Sequence, residues 1–166
     1  NGSNANEILT GGNGDDILFG NVGSDTLNGD GGDDTLDGGT GSDTLDGGAG
    51  SDTASYVSSS AAVTAYLDGV TLGSGGDANG DLLLNIERLV GSAFNDTLYG
   101  SSGADTLTGG AGNDILIGGA NGDTLDGGAG TDHVSYITSG SAINASFASG
   151  SLVITGADAS GDTFAA

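Results

Sequence analysis

The amino-acid sequence predicts an all-β fold, a solenoid of parallel strands, and three regularities carry that prediction. The 166 residues contain eleven units of nine residues that repeat in register. The sixth position is acidic in every unit, and leucine stands at the eighth position in nine of them. Glycine, present 36 times, is concentrated in the first half of each unit. Self-similarity at a short fixed period indicates a solenoid whose repeats pack on their neighbours.

The repeat divides the chain into two blocks and two spacers. We expect repeat blocks at residues 1–55 and 91–135, and β-rich spacers at residues 56–90 and 136–166, the second one truncated. The acids of the sixth position are Glu7, Asp16, Asp25, Asp34, Asp43, Asp52, Asp96, Asp105, Asp114, Asp123 and Asp132. The chain is thus a larger module of roll plus spacer, present almost twice.

Each unit combines a short strand with a glycine turn. In the unit 38–46, residues Thr44 to Asp46 are predicted to form a strand with one apolar side chain, Leu45, pointing inward. The six preceding residues form the turn, where glycine adopts backbone angles that other residues avoid. Two strands and two turns complete one coil, and coils stack at roughly 4.8 Å. Such a core is two leucine columns thick, which is too thin to stabilise the fold alone.

The charge of the chain excludes several classes of function. The 23 acidic residues face a single basic side chain, Arg88, and the formal net charge is −22. Binding nucleic acid requires Lys and Arg, so nucleic acid is not expected as a partner. No apolar run approaches the roughly 20 residues of a membrane-spanning helix, so no membrane span is expected. Cysteine is absent, which leaves no disulfide framework.

The stacked acids indicate a bound cation. Turns one coil apart lie next to each other, which places Asp25 near Asp43 and Asp34 near Asp52. Bare carboxylates at that spacing repel each other, whereas a hard cation between them is coordinated by carboxylate and backbone oxygens. Six or more oxygen ligands in irregular geometry suit Ca²⁺ better than Mg²⁺. Without cysteine, and with His133 as the one histidine, zinc and copper are poor alternatives.

The units resemble the RTX (repeats-in-toxin) family, whose nonapeptide consensus is GGxGxDxUx, with U a large apolar residue. Residues 11–19, 38–46 and 109–117 match it fully, and the eleven units cover 99 of the 166 residues. The resemblance implies a right-handed parallel β-roll that holds Ca²⁺ between turns on successive coils. It also implies type I secretion, with a chain that is disordered in the low-calcium cytosol and folds outside the cell.

The resemblance further implies the ligands. In the family, each ion takes carbonyls from positions 1 and 3 of one turn, carbonyls from positions 2 and 4 of the next turn on that side, and both position-6 aspartates. Carried over to this chain, the ligand residues are Gly11, Asn13, Asp16, Gly20, Val22, Asp25, Gly29, Gly31, Asp34, Gly39, Gly41, Asp43, Gly48, Gly50, Asp52, Asp96, Gly100, Ser102, Asp105, Gly109, Gly110, Ala111, Gly112, Asp114, Gly119, Asn121, Asp123, Gly128, Gly130 and Asp132. Four pairs of units in the first block and three in the second imply about seven Ca²⁺ ions. The unit 91–99, with Phe94 in place of a glycine, fits the pattern least.

The two spacers are predicted to be β-rich and related to each other. Residues 52–67 align with residues 132–147 at an offset of 80. Alternation of apolar residues predicts strands from Ala62 to Leu67 and from Ile143 to Phe147. Residues 82–90 are predicted to form one further apolar strand that leads into the second block.

Five side chains, four of them outside the repeat units, have a structural and a functional interpretation. Asp77 and Asp81 have the oxygen spacing of a calcium loop, but Arg88 replaces the final acid of such a loop, so an ordinary acidic turn is favoured. Tyr56 and Tyr136 are expected to plug the ends of the roll. His133 is expected to be solvated, because it occupies an outward strand position.

The sequence favours a non-catalytic calcium-binding module of a secreted or cell-surface bacterial protein, of adhesin or surface-layer type, that folds on binding Ca²⁺. The chain has no Ser-His-Asp set and no cysteine nucleophile, so it is not expected to be an enzyme. The alternative is the accessory C-terminal tail of a secreted protease, lipase or polysaccharide-modifying enzyme. Ice binding is weaker, because only Thr106 and Thr108 form a Thr-x-Thr pair. A surface polymer, or self-association through the parent protein, stays open as a partner.

Overall fold

The fold is described from a computed structural model, which describes residues 1–136, 144–148, 151–155 and 163–165. Most strands in this part of the chain have three residues, as the repeat predicts. The strands are β1 Ile8–Asn13, β2 Ile17–Phe19, β3 Thr26–Gly31, β4 Thr35–Asp37, β5 Thr44–Asp46, β6 Thr53–Ser55, β7 Thr64–Tyr66, β8 Leu82–Leu84, β9 Arg88–Val90, β10 Thr97–Tyr99, β11 Thr106–Ala111, β12 Ile115–Ile117, β13 Thr124–Ala129, β14 His133–Val134, β15 Asn144–Ala148, β16 Ser151–Thr155 and β17 Thr163–Ala165. A short 3₁₀ helix spans Gly76–Ala78.

The strands stack into parallel sheets that form a solenoid of about seven coils. One face is a seven-stranded sheet in the order β2-β4-β6-β9-β11-β13-β17. The other face consists of two four-stranded sheets, β1-β3-β5-β8 and β7-β10-β12-β14. Every pair in these three sheets is parallel, while β15 and β16 form an antiparallel pair of their own. The predicted all-β parallel roll is therefore confirmed.

The core of the roll consists of the two apolar columns that the repeat predicts. Leu27 lies opposite Leu45 in the β3–β5 pair, and Leu36 lies opposite Ala54 in the β4–β6 pair. All four side chains are fully buried. Their neighbours along each strand point the other way, since successive side chains in a strand alternate. Burying a leucine completely stabilises a fold by about 1.5–3 kcal/mol, so each coil contributes only a few kcal/mol.

Two strands from the predicted spacer at residues 56–90 continue the roll. β8 pairs with β5, which places Leu83 beside Leu45, and β9 lies between β6 and β11. The prediction of one strand over residues 82–90 is wrong. Asn85 adopts φ 50°, a left-handed conformation that ends β8 and turns the chain into β9. The first and second halves of the described chain thus share one seven-stranded sheet.

The other spacer predictions can be compared with the structure. β7 confirms the strand predicted from Ala62 to Leu67, and β15 confirms the one predicted at residues 143–147, of which residue 143 lies outside the described residues. Tyr56 is 1% exposed and belongs to the core, but the roll does not end there, because β8 and β9 continue it; Tyr136 is only half-buried. His133 is exposed, as predicted. In the described part of the chain, no helix has the length and apolar character needed to cross a bilayer.

Candidate metal sites

The position-6 acids form columns that run along the roll, and each acid orients the one before it. The backbone N–H of Asp25 donates to Asp43 Oδ1 at 2.7 Å, and that of Asp34 donates to Asp52 Oδ1 at 2.8 Å. In the second block, the N–H of Asp114 donates to the next acid of its column at 3.0 Å. The predicted proximity of acids one coil apart is therefore confirmed. The same contact recurs between Glu7 and Asp25, Asp16 and Asp34, Asp96 and Asp114, and Asp105 and Asp123.

The second carboxylate oxygen is the unusual one. In several of these aspartates Oδ2 is buried and accepts no hydrogen bond from the protein: Asp25, Asp34, Asp43, Asp52 and Asp114. The residues themselves are at most 2% exposed. Burying a charged oxygen without a partner is costly, so buried carboxylates in proteins are paired or bind metals. The only basic side chain, Arg88, is exposed and lies outside this set.

For four of these five aspartates, all but Asp43, a backbone carbonyl oxygen of the next coil lies close to the same first glycine of the turn as Oδ2 does. A Cβ atom added to Gly20 would lie 2.5 Å from the Gly38 carbonyl oxygen and 2.7 Å from Asp25 Oδ2. A Cβ on Gly109 would likewise approach both the Gly127 carbonyl oxygen and Asp114 Oδ2. The first glycine of the turn thus leaves a small space that a carboxylate oxygen and a carbonyl oxygen face together. Hard oxygen donors of this kind are the ligands that Ca²⁺ takes.

The structure distributes the other predicted ligands by their position in the turn. Residues at position 3 pair across neighbouring coils, as Asn13 does with Gly31 and Ala111 with Ala129. Residues at positions 2 and 4 have positive φ, and the glycines among them lie close to carbonyls of the preceding coil; they are Gly39, Gly41, Gly48, Gly50, Gly110, Gly112, Gly119, Asn121, Gly128 and Gly130. The Ser102 carbonyl accepts a hydrogen bond from the Asn121 side chain at 2.6 Å.

The position-1 carbonyl oxygens lie close to the preceding coil. The Gly20 carbonyl faces the Glu7 carboxylate of the preceding coil, because a Cβ on Gly2 would approach both. The carbonyl next to Asp25 Oδ2 is that of Gly38, which is not in the ligand set implied by the resemblance. The equivalent residues for Asp16, Asp34 and Asp105 are Gly29, Gly47 and Gly118. The complete ligand set stays a prediction.

Burial and mutual repulsion both act on the columns. Burial is the main cause that raises the pKa of the Asp43, Asp52 and Asp114 carboxyls above the usual range. The negative charge of the acid one coil away raises each pKa further, and the N–H donated by that acid opposes the shift. The ionised form of these three carboxyls is therefore destabilised by the protein alone, and a nearby cation would offset both causes.

Two acids of the spacer extend the columns, and sequence reasoning missed them as such. Asp81 Oδ1 accepts the N–H of Asp43 at 2.8 Å, and Glu87 Oε2 accepts the N–H of Asp52 at 3.0 Å. Burial raises the pKa of the Asp81 carboxyl to about 7, and its Oδ2 accepts the Tyr56 hydroxyl at 3.0 Å. Each acid stands two residues before a buried leucine, as in the repeats. This spacing is the sequence feature from which their place in the columns could have been predicted.

The carboxylates of Asp77 and Asp81 do not converge on a common metal position. Both oxygens of Asp81 are used by Asp43 and Tyr56, while the Asp77 N–H donates to Ser59 Oγ at 3.1 Å. Among the residues that the structure describes, no three acidic or histidine side chains converge as a metal cluster. An ion in this roll would therefore take much of its shell from backbone carbonyls.

The nonapeptide units match a known family of repeats. Residues 1–36, 19–54, 85–116 and 99–134 match the family model of the RTX calcium-binding nonapeptide repeat, in four copies. The chain belongs to this family. Together the matches cover residues 1–54 and 85–134, which include β9 in the predicted spacer. No curated protein matches the chain. The RTX chain is thus a calcium-binding structural module built as a β-roll.

Proposed function

We propose that this RTX roll folds when calcium binds between its coils, and that it serves as a non-catalytic structural segment of a secreted or cell-surface bacterial protein, of adhesin or surface-layer type. The supporting observation is the set of buried aspartate Oδ2 atoms without a hydrogen-bond donor, most of which share a small space with a carbonyl oxygen of the next coil. The ligands of each ion are position-6 aspartates of successive coils together with turn carbonyls.

The energetics explain why folding would depend on the ion. Sites with the 10⁻⁴–10⁻³ M affinity of extracellular modules contribute roughly 1 kcal/mol each at millimolar calcium. Several such sites supply a large part of the 5–15 kcal/mol that stabilises a typical domain. Without calcium, the formal charge of −22 is uncompensated, and two narrow apolar columns make up most of the core. Type I export of an unfolded chain from a low-calcium cytosol is consistent with this dependence.

The test is a calcium titration followed by far-UV circular dichroism, with magnesium as the control ion. We expect a cooperative change from coil to β-structure at submillimolar to millimolar Ca²⁺ and none with Mg²⁺. A chain that is already β-rich in chelator and unaffected by calcium would contradict the proposal.

A pair of variants from a single turn links the transition to the buried column. Asp34→Asn keeps an oxygen for the Asp16 N–H but removes a ligand charge, and it should raise the calcium midpoint about twofold or more. Asp30→Asn removes an equal charge from an exposed side chain of the same turn, in a left-handed conformation that asparagine also tolerates. The control should titrate like the wild-type chain. Equal midpoints for the two variants would refute the assignment of Asp34 as a ligand.

A further inference from the structure

Three of the eleven turns satisfy their own acid with a serine at position 2. The pairs are Ser3 with Glu7, Ser92 with Asp96, and Ser101 with Asp105. The amide N–H of Ser101 donates to Asp105 Oδ2 at 2.6 Å, and its hydroxyl lies 3.0 Å and 3.2 Å from the two carboxylate oxygens. Ser92 forms the same three contacts at 2.6–3.0 Å. In these turns the serine donates hydrogen bonds to the carboxylate oxygen that has no donor in turns such as that of Asp114.

The serine also accompanies a different backbone conformation. In the other eight units, position 2 is glycine, asparagine or aspartate with positive φ: Gly12, Asn21, Asp30, Gly39, Gly48, Gly110, Gly119 and Gly128. None of the three serines is in the left-handed region, which costs a side-chain-bearing residue roughly 1–2 kcal/mol. The conformation of position 4 differs in the same turns, since Phe94 and Gly103 also lack the positive φ that position 4 has in the other units. The identity of position 2 therefore selects one of two turn conformations.

The two turns differ in what they leave for a cation. Asp114 Oδ2 is buried without a donor and faces the Gly127 carbonyl. Asp105 Oδ2 faces the equivalent carbonyl, that of Gly118, but is already bonded by Ser101. An N–H and an O–H directed at a carboxylate oxygen place positive hydrogens where a cation would have to approach. A fully hydrogen-bonded carboxylate is also stabilised without a metal.

We propose that serine at position 2 takes the place of the calcium ion, so that the pairs led by these three units hold none. This inference rests on the proposed function, namely that the remaining turns bind calcium. The pairs without an ion are Glu7–Asp25, Asp96–Asp114 and Asp105–Asp123. Of the about seven pairs that the repeat predicts, four remain as calcium sites: Asp16–Asp34, Asp25–Asp43, Asp34–Asp52 and Asp114–Asp132.

The first coil of the second block is then satisfied without metal. This coil, residues 91–108, contains both of the second-block serines. Calcium-dependent coils lie on either side of this segment. The three serine turns also account for the departures from consensus that the sequence shows at position 2 in residues 2–10, 91–99 and 100–108.

Counting bound ions by native mass spectrometry tests the proposal. Asp105→Asn should carry as many calcium ions as the wild-type chain, whereas Asp114→Asn, at the equivalent position of the next unit, should lose at least one. Loss of an ion in Asp105→Asn would overturn the serine proposal and leave the proposed function standing. A wild-type chain that binds no calcium, or an Asp114→Asn chain that keeps every ion, would overturn the proposed ligands instead.

A gain-of-site variant keeps the test decisive if Asp114→Asn does not fold. Ser101→Gly converts residues 100–108 to the full consensus and removes both the hydroxyl and the barrier to positive φ. It should bind one additional ion. Ala104→Gly adds a glycine at an exposed position of the same turn and should bind none. An unchanged ion count in Ser101→Gly would overturn the proposal, because the serine would not be what excludes calcium.

Discussion

The substitution Leu45→Ala tests how closely the core and the ions are coupled. Leu45 is 0% exposed in the middle of the first apolar column. Leu27 and Leu83 lie directly opposite it on the two neighbouring coils. Both neighbours are held by their own strand ladders, so the cavity left by the substitution cannot collapse freely. Leucine-to-alanine changes in packed cores cost about 2–5 kcal/mol, and we take about 3 kcal/mol here.

In a chain that folds only with calcium, this loss shifts the calcium midpoint. Folding and the binding of several ions form one equilibrium, so the lost free energy is shared among the ions. Since about 1.4 kcal/mol corresponds to a tenfold change in binding, about 3 kcal/mol shared by four ions raises the midpoint about 3.5-fold. The same loss shared by seven ions raises it only about twofold. The size of the shift therefore also reports the number of ions.

The assay is the calcium titration by far-UV circular dichroism, with the final amplitude as a check that the variant reaches the same fold. Ile8→Ala is the matched control, because Ile8 is an aliphatic side chain that is 78% exposed. Its midpoint should stay close to the wild-type value. The reasoning is refuted if Leu45→Ala reaches the native amplitude with a midpoint no higher than that of Ile8→Ala.

Two further substitutions probe the turns and the spacer. Gly41→Ala should raise the calcium midpoint by more than Leu45→Ala does, since its Cβ would collide with a carbonyl oxygen of the preceding coil and φ is 153°. Gly103→Ala should raise the midpoint less, because the atom nearest to its Cβ, at 3.3 Å, is the hydroxyl oxygen of the flexible Ser101 side chain and φ is not positive; similar midpoints for the two alanine variants would contradict this account. Tyr56→Phe should cost about 1–3 kcal/mol in guanidinium unfolding at saturating calcium, by leaving Asp81 Oδ2 buried without its donor. Tyr66→Phe keeps its stacked ring and should cost less; equal losses would show that the hydroxyl bond to Asp81 is unimportant.

The repeat made most of the fold predictable. A period of nine fixes which residue faces inward, so the buried column of Leu27 and Leu45 and the contact of Asp25 with Asp43 follow from counting alone. These features are local, because each unit repeats the same strand and the same turn. Stacking then needs no long-range information beyond the period.

The spacer could not be assigned in the same way. Asp81-Leu82-Leu83 and Glu87-Arg88-Leu89 repeat only the acid and the leucine of a unit, without its glycine turn. Their role depends on β8 and β9 stacking on the first block, a contact across 38 residues for Asp43 and Asp81. A long insertion between stacked strands carries no periodic signal, so only the structure shows that it closes a coil.

The sequence also could not predict which backbone carbonyl lies beside each carboxylate. Residue type gives the carboxylates, but which carbonyl meets them depends on how each peptide plane is rotated. In the structure, the Gly38 carbonyl oxygen and Asp25 Oδ2 both lie close to Gly20, and the Gly20 carbonyl oxygen lies close to Gly2 of the preceding coil. Serine at position 2 is a departure from the consensus that the sequence displays. Its consequence appears only once the hydrogen bonds to Asp96 and Asp105 are known.

The two oxygens of a position-6 aspartate have separate tasks, and this separation couples the fold to the ion. Oδ1 of Asp43 accepts the N–H of Asp25 and so fixes the register between two coils. Because the whole Asp43 carboxylate is buried in the column, Oδ2 of the same group is also shielded from water. A buried oxygen that carries charge requires a partner, so the register and the cation stabilise each other through one side chain. A turn becomes independent of metal only by supplying its own donors, as Ser101 does for Asp105.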